Sequence, residues 1–151
     1  MRSTLRSLLA LAAISTLPAA GGAQPAAVAK TVVTVGQPNQ NLSSGIKIGD
    51  MLYASGQLGM SRSAPDTTIE GQTKLALDNV KAVMEAGGTS MANVVKCTVF
   101  LTRFADFQGM NRTYREYFPK DPPARSTVIV AALVSQGALV EIECMAAMPK
   151  P

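Results

Sequence analysis

The residues best suited to chemistry lie near the end of the chain, in residues 122–147, PPARSTVIVAALVSQGALVEIECMAA. Arg125 follows a double proline and opens one predicted strand, while Glu141 and Glu143 lie in a second, otherwise apolar strand. We expect these strands to face each other in one sheet, with a fixed cation near a carboxylate. Such a pair suits a small carboxylate substrate that is attacked by water. The 151 residues include no histidine, which excludes imidazole chemistry.

Each of these charged residues also has a structural interpretation. An arginine such as Arg125 more often forms a structural ion pair, and Glu141 or Glu143 would be its partner here. Glu143 shares a strand face with Glu141, because strand side chains alternate, and we expect it to form a salt bridge or to lie at a rim. Composition and spacing leave both interpretations open.

The N-terminus has the pattern of a secretory signal peptide. Arg2 and Arg6 form a basic region, an apolar stretch follows, and small residues continue to Ala23, the expected cleavage point. Cleavage after Ala29 is the alternative. The apolar run is too short to span a membrane, which takes about 20 residues. We therefore expect a periplasmic or secreted protein, with residues 1–23 removed.

The charge of the mature chain argues against nucleic acid as a partner. Cleavage removes Arg2 and Arg6 but no acidic residue, so the net charge falls from +4 to +2, twelve basic minus ten acidic residues. The chain has no basic run of the kind that follows a phosphate backbone. We expect no nucleic-acid partner and, after cleavage, no membrane partner.

Two cysteines, Cys97 and Cys144, lie on the apolar faces of predicted strands. An oxidising compartment would permit a disulfide between them. The preferred interpretation is two buried thiols that act as small apolar side chains. A CxxC spacing, which would indicate redox or metal chemistry, does not occur.

Six short runs rich in β-branched residues predict strands. They are Thr31–Val35, Ile46–Ile48, Met51–Ser55, Val94–Thr102, Ser126–Ala132 and Leu139–Ala147. Gly49 and Asp50 predict a two-residue hairpin turn between the second and third strands. The polar segment Ser61–Asp66 predicts a surface loop, and the Pro/Ala-rich Gln24–Lys30 segment predicts a tether.

Two segments have helical periodicity. Residues Glu70–Ala86 repeat apolar side chains on one face, followed by a Gly87-Gly88 stop; that face comprises Ala76, Leu77, Val80, Val83 and Met84. Asp106 is the expected N-cap of a second helix that ends before Pro119. The buried stripe of that helix is predicted to be Phe107, Met110, Tyr114 and Tyr117.

This order predicts an α/β domain, more specifically an α+β two-layer sandwich: a six-stranded mixed sheet with two helices on one face. The strand–helix–strand unit from Val94 to Ala132 predicts a parallel pair. The other sheet face, which receives Glu141 and Glu143, has no helix to cover it. Self-association into a closed ring would cover it and place charged groups in pockets between subunits.

Five motifs then occur in a characteristic order: MLYASGQ at 51–57, LDNVK at 77–81, KCTVFL at 96–101, NRTY at 111–114 and PARS at 123–126. Together they resemble the RidA/YjgF family of reactive intermediate deaminases. The resemblance assigns residues 44–151 to the family domain, with residues 24–43 as a tether and first strand that pack onto it. It implies a chorismate-mutase-like fold, a homotrimer with sites between subunits, and no cofactor or metal.

The activity implied by the resemblance is hydrolysis of 2-imino and 2-enamino acids, such as 2-aminoacrylate, to 2-keto acids and ammonia. Members have also been described as ribonucleases or translation inhibitors, a role that nothing in these residues supports. Alternatives to catalysis are an exported module that binds a small carboxylate without turnover, and a chaperone-like stress protein.

The resemblance also assigns roles to individual residues. Arg125 matches the arginine that binds the substrate carboxylate, and Glu141 matches the acidic residue that positions water. The remaining pocket positions are Ser55, Gly56 and Asn111, and the backbone N–H of Thr127 is a further candidate donor. Ser55 has the alternative of closing a strand end, and Asn111 that of tying its helix to a loop.

Two positions depart from the family pattern. Leu42 lies near a place where a tyrosine is common, and Thr127 lies where a cysteine is common. Loss of the phenol is expected to favour bulkier or more apolar substrates, and loss of the thiol removes a group sensitive to oxidation.

Overall fold

The structure, a computed structural model, describes residues 28–60 and 66–150, in which two helices pack on one face of a mixed sheet. The strands are β1 (Thr31–Val33), β2 (Gly45–Ile48), β3 (Met51–Ala54), β4 (Gln57–Leu58), β5 (Val94–Leu101), β6 (Ala124–Ile129) and β7 (Val140–Ala147). The helices are α1 (Ile69–Ala86) and α2 (Phe107–Tyr117), with single 3₁₀ turns at Met91–Asn93 and Phe104–Asp106. The predicted two-layer sandwich is confirmed. The predicted signal peptide and most of the tether and of the Ser61–Asp66 loop lie outside the described residues.

The sheet has seven strands rather than the six predicted. Six of them follow the order β1-β2-β3-β7-β5-β6, and the two-residue β4 pairs with β7. Strands β5 and β6 are parallel, as the strand–helix–strand pattern predicts, and every other pair is antiparallel. β4 was missed because two residues are too few to show a periodic pattern.

Local signals account for most element boundaries. Gly49 has a positive φ of 54° in the β2–β3 turn, where Ile48 pairs with Met51. The Thr68 hydroxyl accepts a hydrogen bond from the Gly71 N–H and caps α1. Strand β6 begins two residues before the predicted Ser126, because Ala124 already pairs with Lys96 of β5.

The prediction that Asp106 caps α2 is right about the position but wrong about the hydrogen bond. The residue stands at the N-cap of α2, but its side chain makes no capping hydrogen bond. Its carboxylate instead pairs with Arg103, with a distance of 2.8 Å between Oδ2 and Nε. The preceding 3₁₀ turn places Asp106 in a helical backbone conformation, which removes the extended geometry that a side-chain cap uses.

The core lies between the helices and the covered face of the sheet. All five residues of the predicted α1 stripe are buried there, and β7 alternates strictly, with Val140, Ile142, Cys144 and Ala146 buried. In α2, Met110 and Tyr114 are buried as predicted, whereas Phe107 and Tyr117 are only partly buried. No helix among the described residues is long and apolar enough to span a bilayer.

The preferred interpretation of the cysteines as free thiols is wrong. Cys97 and Cys144 are buried as expected, but they form a disulfide between β5 and β7. They are direct partners in the antiparallel register, with 4.1 Å between their Cα atoms. A cross-strand pair this close brings the two sulfur atoms within bonding reach.

A buried amide connects α1 to the loops around the start of β7. The Gln72 side chain is fully buried and donates to the carbonyls of Asp66 and Gly137 at 2.8 and 3.0 Å. Its Oε1 accepts from the Leu139 N–H at 2.7 Å. These bonds fix the chain immediately before β7, the strand that carries Glu141.

Candidate functional site

Strand order separates the two charged residues that the sequence was expected to place side by side. Strand β5 lies between β6 and β7, so Arg125 and Glu141 are not on neighbouring strands. Arg125 pairs with Cys97, whose side chain is buried under the helices, whereas Glu141 pairs with Phe100. Since paired residues share a face, Arg125 projects to the helix-covered face and Glu141 to the open face. The expected juxtaposition is therefore wrong within one chain.

Arg125 is held by side chains of α2. Its guanidinium carbon lies 4.6 Å from the centre of the Tyr114 ring, and its Nη1 lies 3.9 Å from the sulfur of Met110. Neither neighbour is a hydrogen-bond acceptor of the strength of a carboxylate. Among the described residues no ion pair contains Arg125, so the alternative of a pair with Glu141 or Glu143 is not found.

A cavity of about 290 Å³ opens beside Arg125. It is lined by Asn111, Tyr114, Arg115, Phe118, Pro122, Pro123 and Arg125. Asn111 thus lies with Arg125, as the resemblance implies. The volume is near the lower end of small-molecule sites, about 300 Å³. A partly buried cation with free donors, above an aromatic floor, is an arrangement that binds a small carboxylate.

Backbone donors lie along the same edge of the sheet. The Val130 N–H donates to the Leu101 carbonyl of β5 at 2.8 Å. This bond establishes which of the preceding amides, in β6, point toward β5. Because successive amides of a strand point in opposite directions, the N–H of Thr127 points away from β5, and β6 is the last strand on that side. The side-chain hydroxyl of Thr127 is buried and has no hydrogen-bond partner among the described residues. Thr127 therefore has two donors, its N–H and its hydroxyl, without a partner in the described part of the chain.

Tyr114 is the member of this site that the sequence did not reveal. Burial raises the pKa of its phenol to about 12, partly offset by the nearby charge of Arg125, so it stays neutral. Its hydroxyl is buried without a partner in the described part of the chain. The helical stripe assigned Tyr114 to the core, where it does lie; the NRTY motif was the only signal of a second role.

Glu141 lies in a second group, on the open face. It packs against Gly56, where an added Cβ would overlap the carboxylate Oε1, so a larger residue there would have to displace that carboxylate. Burial, and next the charge of Glu143, raise the pKa of Glu141 above its ordinary value. A cavity of about 260 Å³ beside Glu141 is lined by apolar residues of β5 and the β6–β7 loop, including Phe100 and Val134.

Ser55 adjoins this group but already has a local partner. Its hydroxyl donates to the Ser43 carbonyl at 2.7 Å, the structural role that the sequence left open. Ser55 also lines a cavity of about 350 Å³ together with Leu42, which is 54% exposed. Leu42, at or near the place where the resemblance expects a tyrosine, thus lines the same cavity as Ser55.

Glu143 was expected to form a salt bridge or a rim contact, and the rim contact stays a prediction. It lines a cavity of about 120 Å³ on the open face with Tyr53, Lys96 and Thr98. The Lys96 ammonium donates instead to the Ser126 hydroxyl at 2.7 Å, and no ion pair of the described residues contains Glu143.

The predicted site residues, together with Tyr114, therefore form two groups. The Arg125 half-site comprises Asn111, Tyr114, Arg125 and Thr127 on the covered face; the Glu141 half-site comprises Ser55, Gly56 and Glu141 near the open face. One half-site offers donors for an anion and the other a carboxylate with a raised pKa. In residues 28–60 and 66–150 no cluster of three or more histidine, cysteine or acidic side chains is arranged to hold a metal ion.

Fold and site together define a class: a small two-layer α/β protein with an arginine on an edge strand that has no acidic partner among the described residues, and an acidic residue on an uncovered sheet face. Residues 24–148 match the family model described as Endoribonuclease L-PSP. The chain belongs to this family, which is the RidA/YjgF family that the sequence motifs resemble.

The chain is also similar to named relatives and to solved structures of this family. The chain is 40% identical over 110 residues to the 2-iminobutanoate/2-iminopropanoate deaminase of Dermatophagoides farinae, covering 71% of this chain and 85% of that protein. It is 39% identical over 112 residues to the chloroplastic Reactive Intermediate Deaminase A of Arabidopsis thaliana, covering 70% and 58%. The crystal structure of the YjgF gene product of E. coli superimposes with a TM-score of 0.72 at 31% identity, covering 78% of this chain and 98% of that one.

Proposed function

We propose that this protein is an exported, homotrimeric hydrolase that deaminates reactive 2-imino and 2-enamino acids to 2-keto acids and ammonia. The observation that carries the proposal is Arg125, partly buried over the Tyr114 ring and without an acidic partner among the described residues. A guanidinium in this position binds a carboxylate through two parallel hydrogen bonds and thereby fixes the plane of the substrate. Relatives named as imine deaminases support the reaction class.

The chemistry requires little from the protein beyond orientation. The carbon of an imine is already electrophilic, and protonation of its nitrogen increases this. Glu141, as a carboxylate, accepts a hydrogen bond or a proton from the attacking water. Water adds to the carbon, the carbon–nitrogen bond breaks, and ammonia leaves as the carbonyl forms. The Thr127 N–H and the Asn111 amide are further donors for the substrate.

Opposite faces for Arg125 and Glu141 support a site assembled from two chains. The open face exposes apolar side chains, including Val32 at 55% and Tyr53 at 41%, which a second copy would cover. Closure into a ring of three would bring the Glu141 half-site of one subunit to the Arg125 half-site of the next. Two half-sites on different chains also explain why neither cavity contains both residues.

Complementation between variants tests this assembly. Imino acids are generated in place by an amino-acid oxidase, and their decay is followed with wild type, Arg125→Ala and Glu141→Ala. Each variant alone should lose about 100-fold or more of kcat/KM. After the two are unfolded and refolded together, mixed trimers should regain a measurable fraction of wild-type activity. Two folded variants that stay inactive together would contradict the shared site, and an inactive, folded wild type would contradict the deaminase itself.

A second candidate function is a binding module without turnover. The Arg125 half-site is complete within one chain and needs no contribution from Glu141, which favours this alternative. Such a module would bind a 2-keto acid in calorimetry, would lose binding with Arg125→Ala and would leave imine decay unchanged. A chaperone-like surface would be unaffected by Arg125→Ala in any assay.

A further inference from the structure

The cavity beside Arg125 contains a second guanidinium. Arg115 follows Tyr114 in the last turn of α2 and lies one helical turn after Asn111, on the same face of the helix. Its side chain is exposed, at the mouth of the cavity, whereas Arg125 is partly buried. Two cations and one amide therefore line a single space of about 290 Å³.

These two arginines differ from others of the described chain in having no acidic partner. Arg103 pairs with Asp106 at 2.8 Å, and Arg112, on the same helix as Arg115, pairs with Glu70 at 2.6 Å. None of the ion pairs between described residues contains Arg115 or Arg125. Two uncompensated positive charges that line one cavity favour a ligand with two negative charges.

Most of the remaining lining is apolar. Phe118, Pro122 and Pro123 complete the lining, and proline offers no backbone N–H. A short methylene segment contacts such a surface without leaving a polar group unpaired. The cavity is thus suited to a small molecule with two anionic groups joined by a short apolar segment.

We infer that the preferred substrates are 2-imino dicarboxylic acids, the imines formed when acidic amino acids are oxidised. Arg125 binds the carboxylate next to the imine carbon, and Arg115 binds the carboxylate of the side chain. This inference rests on the proposed deaminase function and adds the substrate class. The reaction remains hydrolysis: water adds across the carbon–nitrogen double bond, ammonia leaves, and a 2-keto dicarboxylate is released.

Arg115→Ala, with Arg112→Ala as the matched control, tests the substrate class. Imines are generated from acidic and from apolar amino acids by the corresponding oxidases. Wild type should prefer the dicarboxylic imines, and Arg115→Ala should lower kcat/KM for them about 5-fold, as expected for an exposed ion pair. Monocarboxylic imines should change less than about 2-fold, and Arg112→Ala should leave the preference unaltered, because Arg112 does not line the cavity.

A binding measurement separates failure of this inference from failure of the deaminase. Calorimetry compares a 2-keto dicarboxylate with pyruvate, on wild type and on Arg115→Ala. If no imine decays faster but the dicarboxylate binds more tightly than pyruvate and loses that advantage in Arg115→Ala, the deaminase is wrong and the two-arginine site stands. If imines are hydrolysed but Arg115→Ala affects both classes equally, or neither, the inference is overturned and the deaminase stands. Equal binding of the two keto acids to wild type also overturns it.

Discussion

The two faces of the sheet differ in how much of their side-chain surface is buried. On the covered face the side chains of β5 and β7 are almost fully buried, the disulfide joins them, and the cation of Arg125 lies on an aromatic ring at the edge of this layer. On the open face the same strands present Glu141, Glu143 and Lys96 among partly exposed apolar residues. The covered face is packed within one chain, whereas the open face presents polar and apolar groups that no described helix covers.

This difference separates stability from function. Changes on the covered face should alter the free energy of unfolding, and changes on the open face should mainly alter activity. Changes at Arg125 and Tyr114 should alter both stability and activity, because these residues adjoin the core and also line a cavity. Three measurements test this division, in order of decreasing expected effect.

The disulfide should have the largest effect, and only on stability. A bridge between Cys97 and Cys144, 47 residues apart, restricts the unfolded chain and should contribute about 2–4 kcal/mol to the free energy of unfolding. Urea unfolding of wild type with and without a reductant measures this contribution. The Cys97→Ala/Cys144→Ala double variant is the control and should not respond to reductant. A wild-type midpoint that reductant leaves unchanged would show that the bridge does not stabilise the fold.

Tyr114 should have an intermediate effect, and on substrate binding. Its ring fixes the guanidinium of Arg125, an interaction that contributes about 1 kcal/mol at a partly exposed site. Tyr114→Leu should therefore raise KM about 5-fold with a smaller change in kcat. Tyr114→Phe keeps the ring and should restore KM to within about 2-fold of wild type. If Phe and Leu give the same KM, the ring does not position Arg125; if both lower kcat alone, the hydroxyl acts in the reaction.

Glu143 should have the smallest effect, a displacement of the pH profile. In the proposed mechanism Glu141 acts as a carboxylate, so activity should fall as the pH drops through its pKa, which burial and then the charge of Glu143 raise above 4.5. Glu143→Gln removes one of these causes, lowers the pKa of Glu141 and should move the acid limb of kcat/KM to lower pH. Glu85→Gln, on the exposed side of α1, should leave the limb in place. If the acid limb of Glu143→Gln moved to higher pH instead, Glu143 would not affect Glu141 through its charge.

Periodicity predicted the elements well because it depends on local sequence. The α1 stripe around Leu77 and Val80 and the alternation of β7 both follow from which side chains must avoid water. Arg125 was selected as a candidate by its motif, and the structure places it in one cavity with Asn111, while its role stays a prediction. These predictions needed no knowledge of which strands are neighbours.

Two of the errors, the placement of Arg125 and the state of the cysteines, depend on strand order and register. Placing Arg125 beside Glu141 assumed that consecutive strands are neighbours, but β5 lies between them. The disulfide was not favoured because the direct pairing of Cys97 with Cys144 follows from the register of β5 and β7, which no local pattern shows. Tyr114 was assigned to the core because a buried aromatic ring has the same periodicity whether or not its face supports a cation.

The free edge of β6 has a consequence for how the protein behaves at high concentration. A strand with unpaired amides at the end of a sheet is a template on which extended segments of other molecules can assemble. In this chain Pro122 and Pro123 precede β6 and have no N–H to offer, so a foreign strand cannot extend its pairing beyond Ala124 in that direction. The double proline therefore limits the part of the edge that can pair with another strand to the few residues of β6. The outward-facing amides near Thr127 remain accessible to a small ligand.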